Sequence, residues 1–442
     1  MRDLVSGAAI VLVLMGASWA AATAAAPVLA TPDQVEAERA LLKLEADPQI
    51  LAVKTRLKAE LAATPTGQTK AGVARIDEAI DQWTRSVIFK DLAHYRSSSA
   101  ILWATDDTPR SWLGHTLGGV GTAGDNPDNI YRVAYIDGAS RYEIVGHVDP
   151  AHRPAQFSFE IDRGDGAQPA KLKDQTAKHA DMGNQLAMLT DRDLKVSAGG
   201  EFRITLGGPP GGPNHVALQP GLFTVGVRDS LSDWGQRPMK LAIRRLDGGP
   251  AKPLDLAEVR SHVVEDLEDY VQFWSAFGGK WFGGLAPNAY AGPIARDGGW
   301  GFVAGVRFKL APDEAILVTT TTGGAKYTGF QVTDPWMIAP DAKRYQTSLN
   351  LSQSVANPDG SYSYVIAATD PGVANWIDTA GLDEGFAVLR WQGLPPGATK
   401  DGLLREFKVV KLSELSSLPK VSPAERRQQL AERADGYANR VR

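Results

Sequence analysis

Asn375, Trp376 and Asp378 fall within four consecutive positions and combine the residue types of a polar-edged binding pocket. Asn offers a donor and an acceptor, Trp a flat apolar face, and Asp a base or a charge partner. Trp336, Tyr345 and Arg390 join them if the strands carrying these residues pair side by side. In that arrangement Asp378 and Tyr345 are the catalytic candidates, while Trp336, Asn375, Trp376 and Arg390 bind substrate. Such a set suits a sugar or another flat ligand with polar edges. The structural alternative is that Asn375 and Asp378 cap a tight loop through side-chain to backbone bonds, with Trp376 as a buried plug. Paired carboxylates, Asp334 with Asp378 or Asp383 with Glu384, would divide acid and base roles in hydrolysis or elimination if their pKa values were well separated.

Other constellations carry less chemistry. The run Gly207-Gly208-Pro209-Pro210-Gly211-Gly212-Pro213 looks like a phosphate loop but lacks the Lys-Ser/Thr ending, and its prolines remove backbone donors, so it reads as a rigid turn. His215 after it could face a pocket or the surface. Glu258, His262 and Asp266 share a helical face at i, i+4 spacing, which fits either metal ligation or a solvated charged face. The seven histidines are otherwise scattered. There is no G-x-S-x-G elbow, Walker loop or dinucleotide fingerprint. The expectation is a site without cofactor or metal.

Composition narrows the class further. A chain of 442 residues with 43% hydrophobic content supports two or three packed domains. A net charge of −4 argues against a general nucleic-acid binder, which needs a basic face. Zero cysteines exclude disulfides, thiolate metal sites and cysteine nucleophiles. Met1-Arg2, an apolar run from Leu4 to Trp19 and the small residues Ala22-Thr23-Ala24 have the parts of a secretory signal peptide, here assigned to residues 1–26. The expected destination is the periplasm or the medium, with no stable membrane span after processing. A small-molecule or glycan ligand is the expected partner, and oligomeric state is left open.

The elements that must position these residues follow from periodicity. Residues 27–96 read as helix interrupted at Asp47-Pro48 and Thr64-Pro65. Alternation at Tyr142–Ile144, Phe157–Ile161, Phe202–Leu206 and Phe223–Val225 predicts antiparallel strands in a first β-sandwich over 97–250. Leu256, Val259, Val263, Leu267, Tyr270, Trp274 and Phe277 form one helical stripe within a connecting segment, 251–294, that Gly278-Gly279 should end. The aromatic end of that stripe either packs on a sheet or lines a ligand pocket. A second sandwich is expected over 295–398 and a charged helical tail over 399–442.

The two β regions repeat at an offset of about 160 residues. Gly200–Ile204 matches Gly360–Tyr364, Pro213-Asn214 matches Ala374-Asn375, and the following strands end in Arg228 and Arg390. The segment Asp370-Pro371-Gly372-Val373-Ala374-Asn375-Trp376-Ile377-Asp378-Thr379-Ala380-Gly381 resembles the D-P-G-x-x-N-W-[IL]-D-T-A-G pattern of the domain-of-unknown-function 1214 superfamily. Phe330-Gln331-Val332 with Trp336, Ser348-Leu349-Asn350, and Asn129–Arg132 with Ile136-Asp137-Gly138 extend the likeness over most of residues 125–395. Leu382 stands where many relatives carry a basic or His residue, so no role is transferred there. The resemblance implies jelly-roll-like sandwiches and no particular activity. The combined expectation is a mainly β protein of two related antiparallel sandwiches with added helices. Its function is either that of a cofactor-independent hydrolase or lyase, or that of a non-catalytic binding or assembly protein.

Overall fold

The computed structural model describes residues 27–95, 99–164, 184–248, 254–282, 284–296 and 300–441. The signal segment assigned to residues 1–26 lies outside them. Among the described residues no helix is long and apolar enough to cross a membrane.

Three helices lead in: α1 (Pro32–Leu44), α2 (Pro48–Ala62) and α3 (Lys70–His94). Thr31, Asp47 and Thr69 cap them through side-chain oxygens, and proline opens α1 and α2. Pro65 does not start a helix as its spacing predicts; it precedes a 3-10 turn, Thr66–Gln68. The helix α4 (Leu256–Trp281) follows the first β domain and packs on α3, burying Val259, Val263 and Leu267. It runs past Gly278-Gly279, contrary to expectation. A Cβ at Gly278 would come within 3.0 Å of Met337 and Phe386, so this glycine lets the helix approach the second β domain instead of ending it. Tertiary packing outweighs its propensity cost of roughly 1 kcal/mol.

The first β domain contains β1 (Leu102–Thr105), β2 (Arg110–Trp112), β3 (His115–Leu117), β4 (Asn129–Asp137), β5 (Tyr142–His147), β6 (Gln156–Arg163), β7 (Gln185–Thr190), β8 (Glu201–Leu206), β9 (His215–Val216), β10 (Leu222–Ser230) and β11 (Lys240–Arg245). The second contains β12 (Ala289–Ala295), β13 (Gly301–Lys309), β14 (Glu314–Thr320), β15 (Tyr327–Thr333), β16 (Ser348–Asn350), β17 (Tyr362–Ala367), β18 (Trp376–Asp378), β19 (Glu384–Gln392) and β20 (Leu404–Lys411). Each domain pairs a five-stranded with a four-stranded sheet. The orders are β1-β4-β10-β6-β7 with β11-β5-β8-β9, and β12-β13-β19-β15-β16 with β20-β14-β17-β18. These orders correspond strand for strand, so the duplication inferred from sequence holds at the level of topology. Ladders are antiparallel except for one short parallel pair per domain, β8 with β9 and β17 with β18. Alternating residues such as Phe223, Val225 and Val227, or Ala387, Leu389 and Trp391, fill the two sandwich cores.

The tail differs from expectation. Residues 399–442 are not wholly helical: β20 pairs with β14 over Glu314–Thr320, which extends the second domain to Lys411. Beyond it a short 3-10 helix, Leu412–Ser417, precedes α5 (Pro423–Asn439), which a capping box between Ser422 and Glu425 begins. It docks through buried arginines. Arg433 donates to the carbonyls of Ala342 and Ser348, while Tyr437 and Arg440 bind Asp106 of the first domain at 2.6 and 3.0 Å.

Candidate functional site

The six residues singled out by sequence do not share a cleft. Trp336 is 1% exposed, sets its ring edge-on to Trp83 at 6.2 Å, and donates its indole N–H to the Gly72 carbonyl at 3.0 Å. It locks the helical layer to the second domain. Asp334, proposed as half of a carboxylate pair, accepts Arg75 Nε at 3.0 Å and the backbone N–H groups of Trp336 and Ile338. Burial nevertheless pushes its carboxyl up to about 6. Tyr345, Asn375, Trp376 and Asp378 do gather at one end of the second sandwich, and α5 seals them. The Tyr345 carbonyl accepts from Arg433, and the N–H of Asp378 binds the carbonyl of Gln346 beside it. Trp376 donates to the Ala367 carbonyl at 2.9 Å, and Arg426 lies 5.3 Å from its ring. Asp378 is 8% exposed, accepts the Ala380 N–H at 2.8 Å, and is pushed up to about 6 by burial.

Asn375 has a twin. Its Oδ1 accepts the Val355 N–H and its Nδ2 donates to the Val355 carbonyl, both at 2.8 Å. Asn214 makes the same reciprocal pair with Lys195, at 2.8 and 3.0 Å. Each residue immediately precedes its domain's short parallel strand. These geometries are loop staples and a core plug, not a binding surface. Of the six, Arg390 lines a cavity. The helical triad is also occupied elsewhere: His262 stacks on Tyr95 at 3.7 Å and Asp266 pairs with Lys90. Among the described residues no group of three or more His, Asp or Glu side chains is placed to hold a metal.

The cavity lies between the two sandwiches and measures about 310 Å³, within the range of small-ligand sites. Strand alternation builds it. Core residues of β10 and β19 point into their own sandwiches, which turns Arg228 and Arg390 outward onto the opposite faces of the five-stranded sheets. Tyr131 of β4, Glu160 of β6 and Gln185 of β7 complete the first wall, with Asn129 at its edge; Val303, Val388 and Gln392 complete the second. The two sheets are tied beside the cavity by Ser230 Oγ donating to Gln392 Oε1 at 2.7 Å. The aromatic end of α4, Trp274, Phe277 and Trp281, forms a third wall, and the loop Thr122–Asp125 lines it further. Gly305 is required for this closure, since a Cβ there would lie 1.7 Å from the Phe282 ring.

Electrostatics divide the carboxyl groups. Burial alone would raise Glu160, but Arg228 and Arg296 outweigh it and hold this carboxyl below its ordinary range. Arg228 Nη1 bonds Glu160 Oε2 at 2.5 Å and its guanidinium sits 5.6 Å from the Trp300 ring. Asp125 is shifted the other way: burial raises it despite the Thr122 N–H at 2.5 Å and the charge of Arg390. Asp107 is shifted the same way, burial and the charge of Asp125 pushing its carboxyl far up. The charge of Asp125 thus works with burial to make the Asp107 carboxyl hold its proton more tightly. Arg390 donates to Gln331 Oε1 at 2.6 Å and to the Gly124 carbonyl at 2.5 Å, with its charge close enough to Asp125 to act on that carboxyl.

Four buried polar atoms on the cavity walls have no hydrogen-bond partner among the described residues: Asn129 Oδ1, Gln185 Oε1, Trp274 Nε1 and Trp281 Nε1. Buried polar groups are almost always paired, so this concentration marks a place shaped for something else. Sequence reasoning missed Asp125, Glu160, Gln185 and Trp281. The alternation around Glu160 reads as a solvent-facing strand side, and the available signal was the aromatic end of the α4 stripe.

No family model matches the chain, and no curated protein does. Among solved structures, an uncharacterized protein from Burkholderia cenocepacia superposes with a TM-score of 0.63 at 21% identity, over 88% of this chain and 99% of that one. A protein from Vibrio parahaemolyticus aligns with a TM-score of 0.36 at 14% identity, over 65% of this chain and 90% of that one. The Burkholderia likeness establishes that this duplicated sandwich fold, with its added helices, is shared.

Proposed function

We propose that this protein is an exported, cofactor-independent enzyme of the hydrolase or lyase class that acts on a small saccharide in the inter-domain cavity, and that it belongs to the domain-of-unknown-function 1214 superfamily. The four unpartnered polar atoms around an aromatic-walled cavity carry this reading. Aromatic faces take the apolar side of a sugar ring, while scattered donors and acceptors take its hydroxyls. Two carboxyls with opposite shifts on the walls of one cavity are the arrangement that separates acid from base. Asp125, whose carboxyl burial raises, supplies a proton to the leaving oxygen. Glu160, held ionised by its arginines, stabilises positive charge or positions water. Its lowered basicity suits it poorly to abstracting a proton from carbon, which favours hydrolysis over elimination.

The pairing of Glu160 with Arg228 favours a second reading, a non-catalytic binding protein, because that carboxylate is already engaged. The test is to incubate the purified protein with pooled glycans and small glycosides under mass-spectrometric readout, alongside D125N and E160Q. The enzyme reading expects turnover by the wild type that drops at least a hundredfold in D125N while binding persists. Binding without turnover in all three proteins would leave the second reading.

A further inference from the structure

Resting on that reading, we infer that the cavity takes a linear oligosaccharide, laid diagonally across the first five-stranded sheet, rather than a single sugar. Two wall acceptors without a partner among the described residues, Asn129 Oδ1 and Gln185 Oε1, lie at opposite ends of that sheet's face. Asn129 stands on β4, paired with Ser230 of β10. Gln185 stands on β7, paired with Asp162 of β6, which is itself paired with Thr224 of β10. In the order β4-β10-β6-β7 the two are three inter-strand steps apart, about 14 Å across the sheet. From Ser230 to Thr224 the position also moves six residues along β10, about 20 Å at roughly 3.4 Å per residue. Each side chain reaches inward by only a few ångströms, so the two oxygens stay farther apart than one pyranose ring extends. The outward residues between them follow the same diagonal: Tyr131 paired with Arg228, then Glu160 and Asp162. A volume of about 310 Å³ drawn out over that length makes a narrow channel rather than a round pocket. Glu160 lies opposite Gly226, between the two ends, so a bound chain passes this carboxylate and has units on both sides of it.

The helical wall is extended as well. Trp274 and Trp281 are seven residues apart on α4, nearly two full turns, so they share a face and stand about 10 Å apart along the axis. Phe277 fills the interval, its ring centroid 5.1 Å from that of Trp274 and 6.0 Å from that of Trp281. Both indole N–H groups lack a partner among the described residues, and an indole nitrogen can only donate. A sugar hydroxyl both donates and accepts, so successive units of one chain serve the indoles and the amide oxygens in turn. A monosaccharide serves one end and leaves the groups at the other unpaired.

Titration calorimetry of the full-length protein with cello-, xylo-, manno- and chito-oligosaccharides of one to six units tests this directly. In a series that binds, affinity should rise at least tenfold from the monosaccharide to the trisaccharide and level off once the chain spans both ends. N129A and Q185A remove acceptors from opposite ends. Each should weaken binding of the longest chain about five- to tenfold, the loss expected for one hydrogen bond. At most one of them should alter binding of the monosaccharide. Gln185 is half-buried, so Q185A should keep the wild-type thermal transition; if N129A does not fold, the length series and Q185A decide between them. A monosaccharide binding as tightly as its longer chains would overturn the inference while leaving the saccharide reading intact. Binding of the longest chain unchanged in Q185A would overturn the diagonal placement. Absence of binding by any sugar would remove the inference and the saccharide reading together.

Discussion

If Asn375 is a staple, it and Asn214 should fail in the same way when substituted, and neither should touch ligand binding. The Asn375 side chain makes two bonds to Val355 at 2.8 Å and a weaker one to the Ser363 carbonyl at 3.2 Å, at a site only 5% exposed. At about 1 kcal/mol per neutral bond, with buried backbone groups left unpaired, N375A should cost about 2–3 kcal/mol. The Asn214 bonds to Lys195 are exposed, so water replaces them and their loss costs about 1 kcal/mol. Asn214, however, sits at φ +58°, where a Cβ adds about 1–2 kcal/mol. N214G should therefore be milder than N214A. Asn375 is not left-handed, so N375G should be no milder than N375A. Urea unfolding followed by tryptophan fluorescence measures all four variants, and calorimetry with a cavity ligand measures binding. An N375A protein with unchanged midpoint and lost binding would refute the argument and restore Asn375 to a ligand site.

Two further perturbations test the layers around the cavity. Asp91 is fully buried in α3, and although Lys90 Nζ lies 3.5 Å from its Oδ1, burial pushes its carboxyl up to about 8. Between its ordinary 3.8 and about 8 the unfolded chain releases this proton and the folded one keeps it, so the group costs stability as pH rises, with a limiting slope of about 1.4 kcal/mol per unit. D91N should be increasingly more stable than wild type from pH 5 to pH 8 in chemical denaturation, and a pH-independent difference would count against the burial argument. G305A places a Cβ 1.7 Å from the Phe282 ring and should cost about 1–3 kcal/mol by displacing the end of α4; an unchanged denaturation midpoint would show that the helix does not need this close approach.

The fold was largely legible because each sandwich core repeats with period two, and the α4 stripe repeats with the helical period. Errors arose where a contact distant in sequence decided the outcome. Gly278 reads as a stop signal until Met337 and Phe386 occupy the space that its missing Cβ leaves. The short alternation Glu406-Phe407-Lys408-Val409 reads as charged tail until β14 pairs with it. At the site, residue types were read correctly and their surroundings were not. Asn375, Trp376 and Asp378 are suited to a pocket, but the arginines of α5 close over them.

The duplication itself explains why the cavity escaped notice. On β10 the outward residues Thr224, Gly226 and Arg228 alternate with core residues as they would on any solvated sheet. On β19 Arg390 does the same. Nothing in either strand records that its outer face is covered, because each covers the other's sheet from about 160 residues away. Trp376 and Asp378 in the second repeat therefore do not mark the cavity, whose two walls come from both repeats. Each repeat contributes an outward arginine from its equivalent strand, and the element between the repeats, α4, contributes the aromatic wall. Equivalent strand positions that differ between the copies, Glu160 on β6 and Gln331 on β15, then make the cavity asymmetric: one arginine bonds a carboxylate and the other an amide oxygen.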